Sequence, residues 1–99
     1  MTVNEIIRNA LGTGEENAVS LAELEDLTEL TTRDVHHCIE DMRLNGAVIC
    51  SSNNGYFYPA TEDELRKYVR KEHARAATII RNTRAAAVEL CKWGGDSNG

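Results

Sequence analysis

The sequence predicts an α+β, mainly α, chain: three short helices and a two-stranded hairpin, followed by one long C-terminal helix. Three observations carry this. Apolar residues recur at helical spacing in four separate stretches. Asn53-Asn54-Gly55, set between two short strand-like segments, is a compact hairpin signal. From Glu62 to Trp93 no proline or glycine interrupts the chain.

The first helix opens at Thr2-Val3-Asn4-Glu5, where a threonine hydroxyl and a glutamate three residues on form a capping box. Val3, Ile6, Ile7, Ala10 and Leu11 then share a face. Gly12 to Asn17 reads as a polar loop and Ala18-Val19 as a very short strand. Ser20-Leu21-Ala22-Glu23 repeats the capping pattern, with Leu21, Leu24 and Leu27 on one face of a second helix. Thr28-Glu29-Leu30 is the turn. Thr31 or Thr32 caps a third helix, Thr31–Asn45, whose apolar face is Val35, Cys38, Ile39 and Met42. Asn45-Gly46 supplies the left-handed residue that ends it. Ala47 to Ser52 and Gly55 to Tyr58 are the hairpin strands, and Pro59, which has no N–H, closes the second. Thr61-Glu62-Asp63-Glu64 starts the long helix with another capping box, its acids complementing the N-terminal dipole.

Helix, turn, helix and hairpin in that order make a winged helix-turn-helix over residues 1–60, an architecture that points first to DNA. Residues 61–93 follow as the long helix and 94–99 as a flexible tail. There is room for one modest core, but not for a core plus a buried catalytic cleft. A 41% hydrophobic and 27% charged composition is ordinary for a soluble globular chain. No apolar run approaches the roughly 20 residues that span a bilayer. MTVNEIIRNAL carries an acid and mixes apolar with polar residues, unlike a signal peptide, so a cytoplasmic location is expected. Cys38, Cys50 and Cys91 are odd in number and widely spaced, unlike a disulfide framework; Cys38 on the inner face of a helix and Cys50 in a strand read as small buried hydrophobes, which suits a reducing interior.

Charge runs against a simple nucleic-acid reading. The net charge is −5. Residues 1–60 hold Arg8, Arg33 and Arg43 against ten acids, a balance of −7; residues 61–99 hold eight bases against six acids, a balance of +2. Phosphate neutralisation supplies much of the affinity of DNA-binding domains, so an acidic reading head needs help.

In a helix-turn-helix the outward face of the second helix meets base edges. Here that face is Thr31, Thr32, Arg33, His36, His37, Glu40 and Arg43. Arg33 can read guanine bidentately, and the threonines and histidines are short polar readers. In the wing, Ser52, Asn53 and Asn54 can bond phosphates, although none is cationic. Arg66, Lys67 and Arg70 on the long helix are candidates for flanking phosphates, or else a solvated face paired with Glu62 and Asp63.

Along the long helix, Leu65, Val69, Ala76, Ile79, Thr83, Ala86 and Leu90 follow an alternating four-three spacing if Glu72 occupies one slot; Tyr68, Ile80 and Ala87 flank the stripe. At about 1.5 Å per residue this helix is about 48 Å long, more than a 60-residue head can cover. Either its first half folds over the head, or the stripe pairs with a second copy to make a homodimer.

No enzymatic activity, cofactor, metal or small-molecule substrate is expected. His36, His37 and Cys38 are adjacent, so on a helix they splay by roughly 100° each and do not converge. Gly12-Thr13-Gly14 is followed by acids and not by the Lys-Ser/Thr of a phosphate loop.

From Leu30 to Tyr58 the chain resembles a winged helix of the biotin-repressor N-terminal type. The likeness rests on Asp41-Met42-Arg43-Leu44-Asn45-Gly46 at the helix end, Ile49 in the first wing strand and Gly55-Tyr56 in the second. Together with Thr61-Glu62-Asp63-Glu64, Tyr68 and Arg75-Ala76, it is also similar to small winged-helix proteins of bacteriophages and prophages. The resemblance implies sequence-specific binding of double-stranded DNA by the Thr31–Asn45 helix and the wing, in a transcriptional or phage-replication regulator. Nothing matches the biotin-ligase catalytic portion. The competing expectation is an acidic winged-helix module for protein interaction or assembly that does not bind DNA alone.

Overall fold

The computed structural model describes residues 1–94, and its architecture is α+β, mainly α. In order it has α1 (Val3–Ala10), a single 3-10 turn at Glu15–Asn17, α2 (Leu21–Thr28), α3 (Thr32–Leu44), β1 (Cys50–Ser52), β2 (Gly55–Phe57) and α4 (Glu62–Gly94). This is a helix-turn-helix followed by a hairpin wing and a long C-terminal helix. The chain divides into two compact units, Met1–Tyr68 and the segment from Val69 onward. Gly94, expected in the tail, is the last residue of α4. The rest of the expected tail, residues 95–99, lies outside the described residues.

Caps begin the first three helices as the sequence implies. Thr2 and Glu5 form the full capping box on α1, the Glu5 N–H donating to Thr2 Oγ1 at 3.2 Å and the Thr2 N–H to Glu5 Oε1 at 3.0 Å. Ser20 Oγ accepts from the Glu23 N–H at 3.2 Å and donates to Glu23 Oε1 at 3.3 Å, so the carboxylate takes the hydroxyl and not the backbone N–H that would complete a box. Thr31, of the two threonines, caps α3 by accepting from the Asp34 N–H at 3.2 Å. The turn between α2 and α3 passes through Glu29, which holds the left-handed conformation at φ 57°.

Ile7, Leu11, Leu24, Val35, Ile39, Met42 and Ile49 form one buried cluster among the three short helices and the chain entering β1. Val3, Leu21, Leu30 and Cys38 pack against its edge. One expected core position fails: Leu27 is 54% exposed. Leu21, Leu24 and Leu27 are three residues apart each time, and at about 100° per residue successive steps of three rotate the last leucine off the inner face.

The hairpin pairs Cys50 with Phe57, Ser51 with Tyr56 and Ser52 with Gly55, antiparallel. The strands are shorter than the sequence suggests, because Ala47, Val48 and Ile49 run into β1 without pairing. The expected short strand at Ala18-Val19 is reduced to a single bridge, in which the N–H and C=O of Val19 both bond Tyr56 at 2.9 Å. A second backbone link joins the loop at the other end: Tyr58 N–H donates to Gly12 O at 2.8 Å, and Gly14 N–H to Tyr58 O at 2.7 Å. Gly55 has φ +124°, and a Cβ there would stand 2.3 Å from Val19 O.

Thr61 caps α4, accepting from the Glu64 N–H at 3.2 Å, but Glu64 does not complete a capping box. Its carboxylate accepts from the Ala60 N–H at 2.8 Å and from the Glu15 N–H at 3.0 Å, fastening the loop before α2 to the start of α4. These bonds, the one from Ala60 first, hold its pKa below the ordinary value of 4.5. A lowered carboxyl pKa stabilises the fold above the unfolded value and loses that effect as pH falls through the folded one. Glu64→Gln is therefore expected to lower Tm at pH 7, with the gap to the parent closing as pH falls below 4.5. Thermal melts of both proteins between pH 2 and 7 check this; a gap that stays constant with pH would remove the carboxylate from the explanation.

Candidate nucleic-acid interface

With Val35, Ile39 and Met42 buried, α3 turns Thr32, Arg33, His36, His37 and Glu40 outward. These five line one shallow depression of about 400 Å³. The structure thus brings together most of the expected reading face on the N-terminal half of α3. Thr31 adjoins it, with its oxygen engaged as the helix cap.

The face is not bare. Thr32 Oγ1 donates to Glu25 Oε2 at 2.6 Å, so an α2 carboxylate already occupies the hydroxyl. The wing shows the same pattern. Asn54 Nδ2 donates to Glu15 Oε2 at 3.2 Å, and Ser52 Oγ accepts from the Asn54 N–H at 3.1 Å. Asn53 is exposed at the tip. Two carboxylates therefore sit against polar side chains that the sequence marks as candidate DNA contacts.

Arg43 departs from the expected reading face. Its Nε–H donates to Ile49 O at 2.9 Å, and its guanidinium carbon lies 5.9 Å from the Tyr56 ring centre and 5.2 Å from that of Tyr68. The long side chain at the last turn of α3 folds onto the wing because a carbonyl and two aromatic faces are there to receive it. That leaves Arg33 as the one cation of the depression. Burial pushes the Tyr56 hydroxyl above its ordinary pKa, an effect that Arg43 partly offsets.

Cys38 flanks the core, and burial first, then Asp34 and Asp41, pushes its thiol up, away from thiolate chemistry. Cys50 is buried and Cys91 exposed. Among the described residues, no group of three or more His, Cys, Asp or Glu is placed to hold a metal ion. No helix among them is long and apolar enough to cross a membrane.

Of the expected phosphate contacts on α4, Arg66 is ion-paired with Glu62 one turn before it. Lys67 and Arg70 are exposed. Of the expected dimerisation positions, Leu65 is half-buried and belongs to the first compact unit. From Val69 onward the described chain is helix alone, so Val69, Ala76, Ile79, Ile80, Thr83, Ala87 and Leu90 have no second element of their own unit to cover them. Ile80 is 62% and Leu90 67% exposed.

Sequence reasoning missed Glu15 and Glu25 as partners of the wing and of α3, and Arg8. Arg8 lines a second depression of about 480 Å³ with Asn4, Met42, Asn45, Gly46 and Ala47. The signal for Arg8 was its place one turn after Asn4 on the polar side of α1. For the two glutamates no local signal exists. Comparison with family models, curated proteins and solved structures gives no match.

Proposed function

We propose that this chain is a cytoplasmic, sequence-specific DNA-binding protein, a transcriptional or phage-replication regulator that works as a homodimer joined through α4. One observation supports it above the rest. A capped helix follows a tight turn, buries Val35, Ile39 and Met42, and offers Thr32, Arg33, His36 and His37 together on its N-terminal half. In this reading Arg33 reads a base edge, Asn53 and the wing backbone meet phosphate, and Lys67 and Arg70 add flanking contacts.

Selection from a random duplex library with the purified protein tests it, with an enriched palindrome as the expected result. At the selected site, Arg33→Ala should weaken binding by ~1–3 kcal/mol. Unchanged affinity would take Arg33 off the reading surface.

A second reading has its own support. The −7 balance over residues 1–60, with Glu25 on Thr32 and Glu15 on Asn54, suits a module that receives a basic protein partner. Binding to DNA should weaken steeply with salt, with a log–log slope of about −0.9 per phosphate contact. No binding to any duplex at low salt would favour the interaction module.

A further inference from the structure

Beyond Val69, α4 repeats its seam positions at steps of three and four: Val69, Glu72, Ala76, Ile79, Thr83, Ala86. Such spacing lays a stripe along one side of a helix, slightly wound about it. Val69 to Ala86 measures about 26 Å at about 1.5 Å per residue. The alanines let two axes approach toward the lower end of the 8–10 Å range.

The stripe contains one charge and one hydroxyl, and these set its direction. Glu72 Oε2 is already closed off from solvent and has no hydrogen-bond partner, and its ion pair with Arg75 Nη1 is 3.5 Å long. Thr83 Oγ1 donates to its own helix, to Ile79 O at 2.9 Å and Ile80 O at 3.2 Å, a bond a hydroxyl can exchange for a facing carboxylate. In a parallel pair each seam residue faces its own copy, which sets Glu72 against Glu72 where water is excluded. In an antiparallel pair about the midpoint of Ala77 and Thr78, Val69 faces Ala86, Glu72 faces Thr83 and Ala76 faces Ile79. Small then meets large and polar meets polar, with each pairing made twice.

We propose that α4 pairs antiparallel with a second copy of this chain, in the register that sets Glu72 opposite Thr83. This rests on the homodimer of the proposed function and adds its direction and register. Partner recognition then resides in the seam itself, since the one buried charge finds a hydroxyl in only one of the two orientations.

The exposed Cys91 provides the ruler. In this register two Cys91 residues lie about 40 Å apart along the axis, against roughly 10 Å in a parallel pair. Spin labels on Cys91 of the full chain carrying Cys38→Ala, with the dimer mass confirmed by light scattering, should give the long distance. A dimer with the short distance overturns the register and leaves the homodimer standing. A monomer at all concentrations overturns both. Thr83→Lys is a second test, since it places a lysine opposite each Glu72 and should tighten the dimer about three- to tenfold. A weaker dimer would mean that lysine faces lysine, and would overturn the antiparallel arrangement.

Discussion

Gly55→Ala is expected to destabilise the first compact unit by roughly 3–5 kcal/mol. Two independent costs combine. The residue sits at φ +124°, a conformation that an L side chain holds at a cost of about 1–3 kcal/mol. The new Cβ would also stand 2.3 Å from Val19 O, 2.6 Å from Val19 C and 3.0 Å from Ser20 Cα, all backbone atoms with no rotamer to change. Relief requires pulling Val19 away from β2, which breaks both Val19–Tyr56 bonds. Overpacking of this kind costs a further ~1–3 kcal/mol. At about 4–8 °C per kcal/mol for a domain of this size, Tm should fall by roughly 12 °C or more. A variant melting within ~5 °C of the parent would show that the Val19 bridge is not held as described.

Arg43→Ala is expected to cost roughly 2–4 kcal/mol of stability, combining a charge-assisted hydrogen bond with stacking on two tyrosines. The truncation leaves Ile49 O without its side-chain donor at the entry to β1. Arg43→Lys should recover little, since a lysine has no Nε–H donor to reach Ile49 O while its charge stays near both rings. Chemical denaturation of the three proteins measures the stability change. The sequence reading makes Arg43 a groove residue, and salt dependence separates the two roles. If Arg43 neutralises a phosphate, its removal should reduce the log–log salt slope by about 0.9; if it only clamps the fold, the slope should stay unchanged. A stable Arg43→Ala protein with a shallower slope would return Arg43 to the interface.

Much of the fold was legible because it follows from short-range rules. The Thr2–Glu5 box, the Ser20 and Thr31 caps and the Val35, Ile39 and Met42 face all depend on residues within one or two helical turns of each other. The hairpin was legible because Asn53, Asn54 and Gly55 fold locally. What escaped depends on polar side chains choosing partners across the tertiary structure. Glu64 reaches Glu15, Asn54 reaches Glu15, Thr32 reaches Glu25, and Arg43 reaches Tyr56 and Tyr68. Periodicity says which side of a helix a residue occupies, not whether a neighbouring carbonyl or ring will claim it. For that reason the depression of α3 was foreseen as a set of residues, while the carboxylates beside it were not.

The backbone bridge at Val19 has a consequence for how the wing meets any partner. An isolated two-stranded hairpin is marginal in water. This one is tied through Val19 at one edge and through Gly12 and Gly14 at its far end. Fixing a backbone residue costs about 1–2 kcal/mol of conformational entropy, and here that cost falls in folding and not in association. A surface that docks on the wing meets a backbone already in place. Contacts from Asn53 and the strand edge are then not diminished by the cost of ordering the hairpin.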